Sequence, residues 1–330
     1  MSLPPLLSFT LLADRNLNPA AVMLRVGKGD MSALLPLLEG EDFSTFSATF
    51  PCLFDASLAE RLPPELLTAL QNAGCQIMRE EQSYSSDEQT KPVLPTTAEW
   101  LTGDWYCAPP ARQSASQATS RTVSLKLLQL VATDADTCEI EAIFRQDPVL
   151  AFHLLRLVNS LGVGVGRHIS SFSQAILILG RQQLKRWLNL MLFAASRDDH
   201  RSAMLLARVA VRARTMELLA KAGGLDRSVQ EQAFMAGMFS LLGTLFGLPL
   251  VDILKPLRLS DSLTNAVLKH EGELGQLLLA VQSTECTEEP VLVRILSGFG
   301  LSIADYNPLS LEAYQWMLGV IHEQKDAVDA

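Results

Sequence analysis

Apolar runs alternate with polar breaks on a short period over the first hundred residues and on a helical period afterwards. LLSFTLLA and AVMLRV flank the turn-forming Asp14-Arg15-Asn16, which predicts two strands. TFPCLF and CQIM predict two more. MSALLPLLEG and LPPELLTALQNAG predict helices, the second starting near its prolines and ending at Gly74, because proline fits a first helical turn and glycine ends one. Residues 82–92 (QSYSSDEQTKP) and the acidic run Glu39-Gly40-Glu41-Asp42 are expected in exposed loops. Residues 1–108 therefore predict an α/β unit.

Residues 109–121 (PPARQSASQATSR) are poor in apolar side chains and rich in Ser, Gln, Ala and Pro, the composition of a linker. Residues 122–330 predict helices throughout. Asp147-Pro148 is a helix start, followed by a stripe of Leu150, Leu154, Leu157 and Val158. Ser171 can cap a further helix that stops at Gly180. SAMLLARVAVRARTMELLAKAGG, EGELGQLLLAVQSTE and a final helix through Trp316 complete the pattern. Gln232–Val251 carries no charge and has the length of a membrane span. Its three glycines, its Pro249 and the lack of a basic cluster on one flank favour a buried core helix.

Composition narrows the function classes. The chain has 330 residues and a net charge of −9, with residues 1–120 carrying 7 basic and 14 acidic side chains. An acidic first half repels phosphate backbones, so nucleic acid is not an expected partner. Five cysteines, widely spaced and without a CxxC pair, fit reduced thiols in the cytoplasm better than a disulfide framework. The N-terminus has no basic stretch ahead of its apolar run, so a secretory leader is not expected.

The segment from Ile140 to Trp187 resembles the HDOD (HD-related output domain) family. The resembling features are Asp147-Pro148, the Leu-Leu-Arg-Leu-Val-Asn-Ser run at 154–160, Ile169-Ser170-Ser171, and Ala175-Ile176 followed by Leu179-Gly180. The resemblance implies an all-helical bundle over 122–330, related to HD hydrolases. Residues 1–108 are similar to the EAL domain of EAL–HDOD signalling proteins, through Asp14-Arg15-Asn16-Leu17-Asn18 and Gly103-Asp104-Trp105-Tyr106 with Pro109. A full EAL domain is a (β/α)8-type barrel of about 250 residues, so only a shortened, degenerate one fits. The expected fold is α+β overall, an EAL-barrel remnant followed by a helical bundle.

Both resemblances imply metal chemistry that the residues here do not supply. The EAL tripeptide should fall at Val22-Met23-Leu24, where Met23 replaces the carboxylate that would hold a divalent ion. The His-Asp pair of HD hydrolases should fall within 236–243, where Ser240-Leu241 stands instead. Of the five histidines, His153 reads as core packing, Asp198-Asp199-His200 as a polar turn and His270-Glu271 as a helix surface. No His has a second His at helical i, i+4 spacing. The expectation is no catalytic residue, no metal and no cofactor.

A basic face is the remaining candidate. Arg181, Lys185 and Arg186 precede Trp187, while Arg201, Arg208 and Arg212 repeat at i, i+7 and i+11 and share one helix face. They read either as a docking patch for an acidic protein or nucleotide phosphate, or as a solvated face paired with local acids, the default for surface charge. The favoured function is a non-catalytic signal-transduction module that docks another signalling protein, without a membrane, and compatible with a homo-oligomer. The alternatives are a cyclic di-GMP sensor that does not cleave, using Arg25 or Arg79, and, last, a metal-dependent phosphodiesterase with unrecognised ligands.

Overall fold

The computed structural model describes residues 4–86, 91–108, 199–257, 259–286 and 288–328 and positions 126, 129, 130, 180, 186, 189 and 190, with side chains through residue 321. The linker at 109–121 and the residues from 140 to 179 that carry the HDOD resemblance lie outside the described residues.

Six strands form one curled sheet. They are β1 (Leu7–Ala13), β2 (Pro19–Val26), β3 (Cys52–Asp55), β4 (Gln76–Met78), β5 (Ser83–Ser85) and β6 (Trp100–Thr102), in the order β4-β3-β2-β1-β6-β5. β1 and β2 are an antiparallel hairpin. Asp14 closes its turn by accepting from the amides of Asn16 and Asn18 at 2.8 and 2.9 Å. Arg15 ties the turn to the carbonyls of Pro95, Thr96 and Ala98. From β2 to β4 the strands run parallel, with helices as the crossovers that parallel pairing requires. These helices are α1 (Leu35–Leu38) and α2 (Glu41–Thr49) before β3, and α3 (Ala56–Arg61) and α4 (Pro64–Asn72) before β4.

Three local expectations change. MSALLPLLEG is not one helix: Met31–Leu34 is a 3-10 turn that passes into α1, because Pro36 has no N–H to continue an α-helical ladder back to Ser32. The acidic run is not all loop, since Glu41 and Asp42 form the first turn of α2, where carboxylates suit the helix dipole. Residues 83–85, expected in a loop, are β5, paired in parallel with β6. That strand exists only through a partner beyond its own sequence window.

The described helices of the second half are α5 (Ser202–Ala222), α6 (Arg227–Phe239), α7 (Leu242–Phe246), α8 (Leu250–Leu254), α9 (Asp261–Lys269), α10 (Gly272–Glu285), α11 (Glu289–Gly298) and α12 (Ile303–Val328). α5 is buried on nearly every side and packs on α6, α10 and α12. The uncharged stretch 232–251 is cut into three, with Gly247 in the left-handed region (φ 60°) and Pro249 ahead of α8. No single helix among the described residues is long and apolar enough to cross a membrane. One pair, Arg227–Phe246 with Leu250–Leu257, passes by length and composition, but it is bent by 116°.

Sheet and helices share one hydrophobic core, from Leu7 and Phe9 of β1 through Phe46 to Leu205, Met216 and Tyr314. Main-chain contacts reinforce the junction. The Leu6 carbonyl points to β2, accepting from the Gly27 amide, so the alternate groups of Pro5, Leu7 and Phe9 point to the other edge. β6 pairs with that edge only at Ala13. α12 covers the rest: Asn307 accepts from the Leu7 amide at 3.0 Å and donates to the Pro5 carbonyl at 2.9 Å, and the Tyr314 hydroxyl donates to the Phe9 carbonyl at 2.6 Å. Helical side chains stand where a neighbouring strand would supply main-chain partners.

Candidate functional site

The arginines expected on a surface face turn inward. Arg208 and Arg212 lie one turn apart on α5 and converge on Glu285, the last residue of α10. Arg212 grips the carboxylate with Nε at 3.0 Å and a terminal nitrogen at 2.5 Å. Arg208 reaches the same carboxylate at 3.1 Å. Its other terminal nitrogen donates to the Tyr106 hydroxyl at 3.2 Å and lies 3.6 Å from Asp104. Arg212 also donates to the Ser240 hydroxyl at 2.7 Å, and Ser240 donates onward to the Gly237 carbonyl at 2.6 Å.

Electrostatics follow from this burial. Desolvation alone would raise the Glu285 pKa, but Arg212 and Arg208 outweigh it and hold the carboxyl below its ordinary value. Desolvation also works against the charge on Arg208, while Tyr106 and Glu285 outweigh it and push that pKa well up. Burial raises the Tyr106 phenol, and it lifts the Cys107 thiol to about 11. The cluster is a charged pair of guanidiniums around one carboxylate, with neutral hydroxyls at its ends.

Arg201 is a second correction to the surface reading. It is 2% exposed and pairs with Asp199 at 2.7 Å. It also donates to the carbonyls of Ala108 and Thr244, locking the end of the N-terminal part onto the helices. The Asp199-His200 turn is therefore not simply solvated: Asp199 is held below its ordinary pKa by Arg201 against the effect of burial, and His200 stacks on Trp105 at 6.0 Å. Arg186 pairs with Glu217 and lies 4.0 Å over the Phe234 ring. Arg181 and Lys185 lie outside the described residues, as do His153 and His168. His270 is not a helix-surface residue: it caps α9 in the left-handed conformation (φ 58°), and its Nε2 meets Gln282 at 2.7 Å.

Met23 is buried on the far face of the sheet, in an apolar cluster with Leu12, Ala21, Leu53 and Met78. Leu241, 5% exposed, joins the main core. Arg25 and Arg79 are both exposed. Among the described residues no three His, Cys, Asp or Glu side chains converge as metal ligands would.

Sequence reasoning passed over Glu285, and it noted Asp104 and Tyr106 only as part of the EAL resemblance. A signal for Glu285 did exist: it continues the Leu277, Val281 stripe at i+4 and i+8, so an acid falls on the buried face. Nothing local pointed to its partners, Arg208 and Arg212, which both come from α5.

Comparison with known proteins identifies the first stretch of the helical part. Residues 118–257 match the HDOD domain. The chain carries an HDOD domain. It is 29% identical over 184 residues to a protein named cyclic di-GMP phosphodiesterase CdgJ, from Vibrio cholerae, covering 56% of this chain and 42% of that one. It is 30% identical over 173 residues to the uncharacterized protein YuxH of Bacillus subtilis, covering 52% and 41%. The chain thus spans less than half the length of these relatives. Among solved structures it is similar to a protein from Shewanella amazonensis described as a phosphohydrolase (TM-score 0.35, 16% identity, 59% and 93% of the two chains) and to an HDOD domain protein of unknown function from Geobacter sulfurreducens (0.37, 16%, 62% and 90%). The HDOD match includes α5, α6 and Ser240, so the Arg212–Ser240 contact lies inside the domain.

Proposed function

We propose that this protein is a regulatory module of bacterial signal transduction, tied to cyclic di-GMP signalling, that acts by binding another signalling protein and turns over no substrate. Residues 1–108 are read as a shortened EAL-type unit whose Met23 lies among apolar side chains. The link to cyclic di-GMP comes from the CdgJ relative.

The observation that carries the reading is the hydrogen bond between Arg212 and Ser240. The resemblance to HD hydrolases sets a metal-binding His-Asp pair at 240–241. Here a guanidinium occupies the space beside that position, already neutralised by Glu285. A divalent cation brought next to Arg212 and Arg208 would meet two guanidiniums held against one carboxylate, a net positive cluster at low dielectric. A cluster already satisfied internally suits a part that holds shape for docking. The sheet and helices, joined at Arg201 and Asn307, then offer a partner one continuous surface.

The test is incubation of the purified full chain with cyclic di-GMP and Mn2+ or Mg2+, with nucleotides separated by chromatography. Intact nucleotide after prolonged incubation is expected. Linear product formed in proportion to enzyme, and lost in Arg212→Ala, would overturn the reading in favour of a phosphodiesterase.

A further inference from the structure

Five widely spaced cysteines offer no pairing by sequence, but the fold brings two of them together. Cys52 opens β3, and Cys75 directly precedes β4. The strands pair in parallel, with Leu53 opposite Gln76, Phe54 opposite Ile77 and Asp55 opposite Met78. One step back along that register, Cys52 stands opposite Cys75. Residues level with each other on neighbouring strands point to the same face of a sheet, and both cysteines belong to the same core cluster. Neighbouring strands lie about 4.8 Å apart, inside the Cα spacing of about 4.4–6.8 Å that a disulfide accepts.

Both side chains are buried, Cys52 at 1% and Cys75 at 6% exposure. The Cys52 thiol donates to the Phe50 carbonyl at 3.4 Å. The neighbouring Cys75 thiol, together with burial, raises the Cys52 pKa and keeps it protonated. A protonated thiol is a poor nucleophile, so the closed sheet shields the pair. The two cysteines differ in how that shield can fail. β3 is held between β2 and β4, whereas β4 is a three-residue strand at one end of the sheet order. Its Ile77 is 46% exposed. A short terminal strand opens locally at lower cost than an inner one, and its opening uncovers Cys75 first.

We propose that Cys52 and Cys75 form an oxidant-driven disulfide, a redox staple that fastens β4 to β3. The oxidant is a peroxide. With hydrogen peroxide, the uncovered Cys75 sulfur takes one oxygen to become a sulfenic acid, and one water leaves. The Cys52 sulfur then attacks that sulfur. The S–O bond breaks, the S–S bond forms, and the departing hydroxide takes the Cys52 proton as a second water. The two thiols together lose two electrons, and one peroxide is reduced. β4 runs through the Glu80–Gln82 turn into β5, which stands at the opposite end of the sheet order. Fastening β4 therefore fixes one anchor of the connection that curls the sheet on itself.

The test is peptide mapping of the full chain after treatment with hydrogen peroxide, with remaining thiols alkylated in denaturant. Trypsin cuts after Lys28, Arg61 and Arg79, so the two cysteines fall on separate peptides, 29–61 and 62–79. These peptides are expected to elute joined, two hydrogens lighter than their sum, and to separate on reduction. Urea below the unfolding transition should speed the joining about tenfold, as a reaction gated by local opening requires. Cys52→Ser should leave Cys75 at the sulfenic stage, where a cyclic 1,3-dione labels it. The joined wild type should melt at a higher temperature than the reduced form. Both cysteines still alkylated after the exposed Cys286 has been oxidised would overturn the proposal. So would Cys75 joined to a cysteine other than Cys52. A joined form that melts no higher than the reduced form would overturn the staple.

Discussion

Glu285 shows how much one buried side chain can hold. Two guanidiniums lean on it, and removing one partner from a buried ion cluster leaves charge uncompensated. Glu285→Ala is expected to destabilise the protein by about 3–5 kcal/mol, read from the midpoint of urea unfolding. The pH dependence has a definite sign. The folded carboxyl sits below its ordinary value of 4.5, so its contribution is complete above that value and is lost as pH falls through the depressed folded pKa. Asp199 and Asp305 are depressed as well and lose stability in the same direction. The difference between wild type and Glu285→Gln across acidic pH therefore isolates the Glu285 share, and parallel curves would refute the coupling.

At the scale of elements, close approach decides. α5 and α6 cross where a Cβ on Gly237 would lie 2.6 Å from the Ala213 Cα. Gly237→Ala forces backbone apart and is expected to destabilise by about 1–3 kcal/mol. Gly319, exposed in the interior of α12 with nothing within 4 Å of an added Cβ, should respond oppositely. Gly319→Ala is expected to stabilise by about 1 kcal/mol through helix propensity alone. Thermal melts of the two variants check the contrast. The sheet edge gives a third case. Asn307→Ala strips partners from the Leu7 amide and the Pro5 carbonyl, with an expected loss of about 1–3 kcal/mol for each buried group left unpaired, measured by chemical denaturation.

For the whole molecule, the shared core and the α12 clasp predict that sheet and helices open together. Native-state hydrogen exchange should give β1 and the first half of α12 the same opening free energy, and Asn307→Ala should lower both. Independent opening would show that the clasp carries little energy.

Much of this was legible in the order of residues. The β1–β2 hairpin follows from two apolar runs around Asp14-Arg15-Asn16, and α5 from a long run of helix formers closed by Gly223-Gly224. The HDOD domain followed from side chains spaced along one segment. These are local properties, set by backbone preference and periodicity within a few turns. The tertiary structure alone decided which way the arginines face. Periodicity placed Arg201, Arg208 and Arg212 on one side of a helix, but a stripe of charge reads as solvent-facing unless its counter-ions are known. Asp199 is near in sequence, whereas Glu285 and Tyr106 arrive from 73 and 102 residues away. The short strand β5 and the covering of β1 by α12 were hidden for the same reason: each depends on a distant partner, and a sequence window holds only one side of the contact.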